Sequence, residues 1–279
     1  MRRKIAYLGP QGTFSEMAML EYSKDKDLEP VAYTTISDAV LAVNEGLVAE
    51  AVVPVENSLE GSVNTTLDLL AHEADLLIKQ ELVIPIRNCL LALQQANLTN
   101  IEAIYSHPQP IGQCMQFIRK NLPNAAVYFT SSTVEGAQRA AENPKAAAIG
   151  TKRAAELYGL MVLAEGIEDR DHNCTRFVVL SKEDNPPSDH DKTSLIITVP
   201  DTPGSLYNML GEFAKRGVNL QKIESRPSKQ VLGEYIFFID VAGHRSELAL
   251  QEAIMTMRAN SYQVKVLGSY PHWHNVVED

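Results

Sequence analysis

Short apolar runs alternate with segments of helical period through the first 181 residues, the pattern of βα units that build mostly parallel sheets. The pattern predicts strands at 5–8, 31–34 and 51–55 and helices at 14–22, 37–44 and 64–71, with Ser37 as an N-cap. From 76 to 93 two long apolar stretches meet at Pro85, where the chain crosses from one α/β lobe to another. Strands at 103–106, 125–130 and 146–149 follow, separated by helices at 111–121 and 133–142, and residues 154–158 form a short helix. Strands at 161–166 and 176–180 are expected to return to the first lobe, so that two lobes, the second at about 83–155, enclose a cleft. Residues 182–191, charged and proline-containing without apolar period, predict a solvated linker. Beyond it the order is strand 193–199, helix 205–215, strands 219–226 and 234–241, helix 247–257 and strand 263–268, a ferredoxin-like βαββαβ domain over 192–271 with a tail at 272–279. One face of its sheet is expected to need a partner.

Composition narrows the function. A formal net charge of -10 over 279 residues, with no basic stripe, argues against nucleic acid as a partner. The basic start Arg2-Arg3-Lys4 leads into no apolar h-region, and no apolar run approaches membrane-spanning length. Cys89, Cys114 and Cys174 are odd in number and widely spaced, which suits free thiols in a reducing cytoplasm. The histidines form no zinc motif, and His272-Trp273-His274 reads as a chain end; neither metal nor cofactor is implied.

Four polar clusters are candidates for chemistry. Gly9-Pro10-Gln11-Gly12-Thr13-Phe14-Ser15-Glu16 lies between a strand and a helix, where backbone amides can cradle an anion or Thr13 or Ser15 can simply cap the helix. Its spacing fits neither GxGxxG nor the phosphate loop. Glu56-Asn57-Ser58-Leu59-Glu60-Gly61 also follows a strand, and two such turns can line one cleft or serve as capping loops. In Ser106-His107-Pro108-Gln109, His107 is either a ligand or acid for a substrate oxygen or a loop-bonding residue. Asp171-His172-Asn173-Cys174-Thr175-Arg176-Phe177 sets a hydroxyl beside a guanidinium suited to a carboxylate. Cys174 reads as a small apolar residue rather than a nucleophile.

In this order the clusters resemble prephenate dehydratases over essentially the whole chain, joined by Gln113-Cys114 and by Glu224-Ser225-Arg226-Pro227. The resemblance implies a two-lobed, periplasmic-binding-protein-like α/β cleft domain over 1–181, followed by a ferredoxin-like ACT regulatory domain. It also implies decarboxylating dehydration of prephenate to phenylpyruvate, with no cofactor. Thr175, Arg176 and Phe177 then form the catalytic stretch, with Thr175 essential, Arg176 anchoring a substrate or protein carboxylate and Phe177 packing to fix Thr175. Thr13, Ser15, Glu56, Asn57, Ser58, Gly61 and His107 are the implied substrate-binding residues. Gly204, Ser205, Leu206, Asn219, Leu220, Glu224 and Ser225 are implied to bind L-phenylalanine as effector, with Ser205 where the family usually has alanine. A homodimer or homotetramer is expected, formed through the uncovered sheet face. No chorismate mutase helices precede Met1, so the chain looks monofunctional. Two alternatives stay open: arogenate dehydratase, and a non-enzymatic amino-acid-sensing protein.

Overall fold

The computed structural model of the chain describes residues 2–229, 234–260 and 262–273; His274 and the rest of the expected tail lie outside them. The chain begins β1 (Arg3–Leu8), α1 (Phe14–Ser23), β2 (Leu28–Tyr33), α2 (Ile36–Asn44), β3 (Glu50–Asn57), β4 (Gly61–Ser62), α3 (Asn64–His72), β5 (Leu77–Pro85) and β6 (Cys89–Ala92). It continues with β7 (Ala103–Ser106), α4 (Pro108–Gln113), α5 (Met115–Asn121), β8 (Ala126–Phe129), α6 (Thr133–Ala141), β9 (Ala146–Gly150), α7 (Lys152–Tyr158), β10 (Met161–Glu165) and β11 (Cys174–Ser181). The C-terminal elements are β12 (Asp191–Thr198), α8 (Ser205–Ala214), β13 (Leu220–Pro227), β14 (Tyr235–Ala242), α9 (Leu248–Ala259) and β15 (Gln263–Pro271).

Three sheets result, ordered β2-β1-β3-β11-β5 with β4 paired to β3, β10-β6-β9-β7-β8, and β13-β14-β12-β15. The first two are the α/β sheets that the alternating pattern predicts. The third has the strand order of a ferredoxin-like fold. Three local expectations change. Strand 161–166 does not return to the first sheet: β10 pairs antiparallel with β6 in the second, Met161 opposite Ala92, and only β11 crosses back. Apolar content alone gives a strand no address, and pairing with β6 extends the second sheet. The helix at 111–121 is two helices broken at Cys114, whose φ of -120° and ψ of 18° are not helical. Finally, Thr35 rather than Ser37 caps α2, its Oγ1 accepting from the Asp38 amide at 3.0 Å.

By compactness the chain separates into two units, residues 1–39, 52–66 and 83–177 in one and 40–51, 67–82 and 178–279 in the other. In the first, the second sheet is packed by Leu90, Ile104, Ile149 and Ile111 on one side and by Leu91, Ala148, Ala137 and Ala154 on the other. In the second unit, α8 and α9 cover one face of the β12–β15 sheet, Met209, Phe213, Leu250 and Ile254 meeting Leu195, Ile197, Ile239 and Val241. The other face is not left for a second copy alone, because residues 68–81 of the same chain lie against it. Lys265 Nζ donates to the carbonyls of Leu70 and Ala74 at 2.8 and 2.9 Å, and Arg226 pairs with Asp68 at 2.6 Å. At Gly268 a Cβ would overlap the Ile78 carbonyl, so only glycine permits this approach.

The same face carries a buried ion pair. Lys192 Nζ meets both Glu81 carboxylate oxygens at 2.9 and 3.0 Å, with the two side chains 8% and 1% exposed, and the Trp273 amide adds a third donor at 2.9 Å. Removing one partner of such a pair strands a charge in a medium that solvates it poorly. Lys192→Met is therefore expected to lower unfolding stability by roughly 3 kcal/mol, and Lys192→Met with Glu81→Gln to recover part of the loss. Urea unfolding and calorimetric melting check this; an unchanged Lys192→Met melting temperature would show that the pair contributes nothing.

Candidate functional site

The turn after β3 organises the first unit's polar cluster. Asn57 stands opposite Gly61 across the β3–β4 pair, and Gly61 sits at φ +83°, in the left-handed region that a Cβ disfavours. Nothing lies within 4 Å of where that Cβ would stand, so Gly61 serves the turn rather than the close approach of another group. The Asn57 side chain folds back over the turn, Oδ1 accepting from the amides of Leu59 and Glu60, each at 3.0 Å. Those two donors fix which end of the side chain is oxygen, since a flipped amide would turn its NH2 toward N–H groups. Asn57 Nδ2 must then face β11. It donates to Thr175 Oγ1 and to Asn173 Oδ1, both at 2.9 Å, and at 3.2 Å to the Cys174 carbonyl.

Thr175 is 8% exposed, and a hydroxyl has two lone pairs and one proton. With Asn57 donating into it, the Thr175 proton is directed away from Asn57. Ser58 continues the strand pairing: its amide donates to the Cys174 carbonyl at 2.9 Å and its Oγ accepts from the Cys174 amide at 3.0 Å. Because side chains alternate along β11, Phe177 shares the face of Thr175 and is buried, while Arg176 points the other way. There Arg176 Nε lies 3.3 Å from Glu56 Oε2. Of the two roles the sequence leaves to Arg176, the structure shows the pairing with a protein carboxylate. Cys174 is half-buried. Burial pushes the Cys89 and Cys114 thiols up, helped by nearby carboxylates, and keeps them protonated.

The second sheet reaches this network through Gln113 rather than His107. His107 caps α4, its Nδ1 accepting from the Gln109 amide at 3.4 Å, which is the loop-bonding alternative. Gln113, at the end of the same helix, donates from Nε2 to Glu60 at 3.2 Å and accepts at Oε1 from Asn173 Nδ2 at 3.2 Å. Asn173 and Gln113 are thus the residues that the sequence reading passed over as site members. Both stand inside quoted motifs, and a polar residue entering an otherwise apolar strand was the available signal for Asn173.

Thr13 and Ser15 fall elsewhere in the hydrogen-bonding pattern. Thr13 is the N-cap of α1, its Oγ1 accepting from the Glu16 amide at 3.2 Å and donating to the Pro10 carbonyl at 3.0 Å. Ser15 is buried in the first turn. The loop's further bonds run to α7: Thr151 Oγ1 donates to the Gly12 carbonyl at 2.6 Å, and Glu16, which accepts from the Gly12 amide at 2.7 Å, lies 3.6 Å from Arg153.

In the second unit a pocket of about 570 Å³ is lined by Ser205 and Leu206, together with Thr202, Tyr235, Phe237 and Lys265. Gly204 takes φ +87° as it enters α8, the Ser205 amide is already bonded to the Thr202 carbonyl at 3.1 Å, and the two hydroxyls meet at 2.6 Å. Asn219, Leu220, Glu224 and Ser225 lie outside this lining. Leu220 packs on the helix-covered core, and Glu224 sits between Lys222 and Arg226 at 3.4 and 3.7 Å. Among the described residues no group of three or more His, Cys, Asp or Glu is placed to hold a metal ion, and no helix is long and apolar enough to cross a membrane.

Comparison with known proteins gives the family. The family model for prephenate dehydratase matches residues 5–185 and that for the ACT domain residues 193–257. The bifunctional chorismate mutase/prephenate dehydratase of Aquifex aeolicus is 41% identical over 268 residues, 96% of this chain and 73% of that protein. The prephenate dehydratase of Lactococcus lactis subsp. cremoris is 39% identical over 274 residues, 96% of this chain and 97% of its own length. Among solved structures, the prephenate dehydratase of Arthrobacter aurescens in complex with L-Phe superposes with a TM-score of 0.88 at 37% identity, covering 96% of this chain and 90% of that one. A protein described as a novel type of quorum-quenching acylase, GqqA, follows at 0.85 and 30%, covering 97% and 98%. By sequence over nearly its full length and by fold, the chain belongs to the prephenate dehydratase family, with an ACT domain at its C-terminal end.

Proposed function

We propose that the chain converts prephenate to phenylpyruvate in L-phenylalanine biosynthesis, with Thr175 donating a hydrogen bond to the departing hydroxyl. In this reaction the bond to the ring carboxylate breaks, its electron pair aromatises the ring, and the ring C–O bond cleaves. The oxygen leaves as water after gaining a proton, and carbon dioxide is the second product. Aromatisation drives the step, so the protein's part is positioning and stabilising negative charge on the leaving oxygen. The observation that carries the reading is the 2.9 Å bond from Asn57 into Thr175, which leaves the threonine proton available to an acceptor other than Asn57. The hydrogen bond from Thr175 to the leaving oxygen strengthens as charge builds there, which favours the transition state over the bound substrate. Arg176, paired with Glu56, holds the ends of β3 and β11 together, and Phe177, buried on the same face as Thr175, serves to fix it.

An acylase would need a nucleophile with an adjacent base. Thr175 instead receives its hydrogen bond from a side-chain amide, which cannot take a proton from it. Arogenate dehydratase remains the rival substrate choice, and a sensor protein would have no use for the Thr175 hydroxyl. We assign catalysis to residues 1–181, a linker to 182–191 and regulation to 192–271, in a cytoplasmic homodimer or homotetramer. Thr13, Ser15, Ser58, Glu56, Gly61 and His107 act in this scheme by shaping the turns around the substrate rather than by chemistry.

Thr175→Val keeps the shape and removes the donor; kcat for prephenate is expected to fall at least about a hundredfold with the fold retained. Asn57→Asp reverses the hydrogen bond, because a carboxylate would accept the threonine proton, and is expected to be similarly impaired although isosteric. Both are measured with prephenate and arogenate offered separately. Wild-type turnover by a folded Thr175→Val protein would remove Thr175 from the mechanism.

For regulation, the pocket at Ser205 and Leu206 has the size of a small-ligand site and joins hydroxyls and a lysine to aromatic walls. L-phenylalanine is the proposed ligand and inhibition the proposed effect, through a coupling of about 1–3 kcal/mol between the two sites. Residues 67–82 share a compact unit with 178–279, so the test is a point substitution in the full chain rather than a truncation. Leu206→Asp is expected to abolish phenylalanine binding by calorimetry and leave uninhibited turnover near wild type. Undiminished binding by Leu206→Asp would place the effector elsewhere.

A further inference from the structure

We infer that Asn173 is a positioning residue for the reaction: acting through Asn57, it holds the Thr175 hydroxyl as a donor toward the substrate. The inference rests on the reading of Thr175 as donor to the leaving oxygen. The Asn57 NH2 group has two hydrogens to place, and its two 2.9 Å acceptors are Thr175 Oγ1 and Asn173 Oδ1. Supplying the second acceptor keeps the first N–H on the threonine. Without it, the amide is left with the Cys174 carbonyl at 3.2 Å, and the pull of that carbonyl draws the N–H group off line with Thr175.

Asn173 suits this task because it is itself held from several directions. Its side chain is buried at 3% exposure, and its Nδ2 donates to Gln113 Oε1 at 3.2 Å. That bond and the one from Asn57 together set the orientation of its amide, oxygen toward Asn57 and nitrogen toward Gln113. Its backbone carbonyl accepts from the Ile86 amide at 2.8 Å, just after β5. The preceding residue, His172, lies at φ +66°, a left-handed conformation that few non-glycine residues adopt. Restraints from α4, from the segment after β5 and from the turn before β11 therefore converge on one amide, which passes them to Asn57. In the Asn57 and Asn173 side chains each oxygen accepts and each NH2 group donates, and buried amides matched in this way hold one another rigidly. A misplacement of about 1 Å at the reacting group is enough to cost on the order of a hundredfold in rate.

The test is a double-mutant cycle in the full chain: Asn173→Ala, Thr175→Val and the pair, assayed for kcat and KM with prephenate. Asn173→Ala is expected to lower kcat about 10- to 100-fold with KM within about twofold. The double variant is expected to be no slower than Thr175→Val alone, since a residue that acts only by aiming a hydroxyl has nothing left to aim. Should Asn173→Ala not fold, Asn173→Leu, of nearly equal size and with no acceptor for Asn57, runs the same cycle with the same decision. Wild-type kcat in the Asn173 variant, a loss confined to KM, or losses that multiply in the double variant would each overturn the inference. Full turnover by Thr175→Val is a different failure, that of the Thr175 reading itself.

Discussion

The orientation of one side-chain amide governs the candidate site. Asn57 has its oxygen claimed by two backbone N–H groups of its own turn and its nitrogen shared between Thr175 and Asn173. No second arrangement satisfies all four contacts, so the amide cannot flip, and the threonine proton points away from Asn57. The rest of the cluster serves that geometry. Ser58 stitches the turn to the start of β11, Gly61 allows the turn to close, and Gln113 brings the helix after β7 to bear on Asn173.

Charge in this site is mostly neutralised by the protein itself. Arg176 lies beside Glu56, and Arg87 donates to Glu168 at 3.1 Å. In a chain of net charge -10, such pairing leaves the proposed chemistry to neutral amides and hydroxyls. A hydrogen bond from a neutral donor to a charged group still contributes about 1.5–3 kcal/mol.

The second unit has its own constraint. Residues 67–82 precede the C-terminal strands by more than a hundred positions in the sequence, yet they share its packing through Lys265, Arg226, Lys192 and the close approach at Gly268. Several of these contacts are buried and charged, so they depend on geometry: each cation is favourable there only because a carbonyl or carboxylate meets it. Burial alone pushes the Lys265 ammonium down from its usual range, and the two backbone carbonyls are what its protons find. Lys265 also lines the pocket with Ser205 and Leu206, so a ligand there shares a wall with the contact that binds this sheet to the end of α3.

Periodicity and turn chemistry carry most of the element pattern, because burial on one face must repeat every second residue in a strand and every third or fourth in a helix. Thus the boundaries of β7, of the βαββαβ order and of the Thr13 cap are legible in the sequence, and so are the motifs around Asn57 and Thr175. The motif resemblance likewise names the family. What the sequence does not hold is the address of a strand or the partner of a polar side chain. Nothing local sends β10 to β6, breaks a helix at Cys114 or assigns Arg176 to Glu56, because those outcomes depend on neighbours scores of residues away in the chain. For the same reason the sequence leaves His107 open between substrate contact and loop bonding, and the structure shows it capping α4, while Asn173 looks like a loop residue and is the buried hub of the amide network. A residue's type fixes what it can donate or accept; only the tertiary structure decides which donor and acceptor are brought within 3 Å.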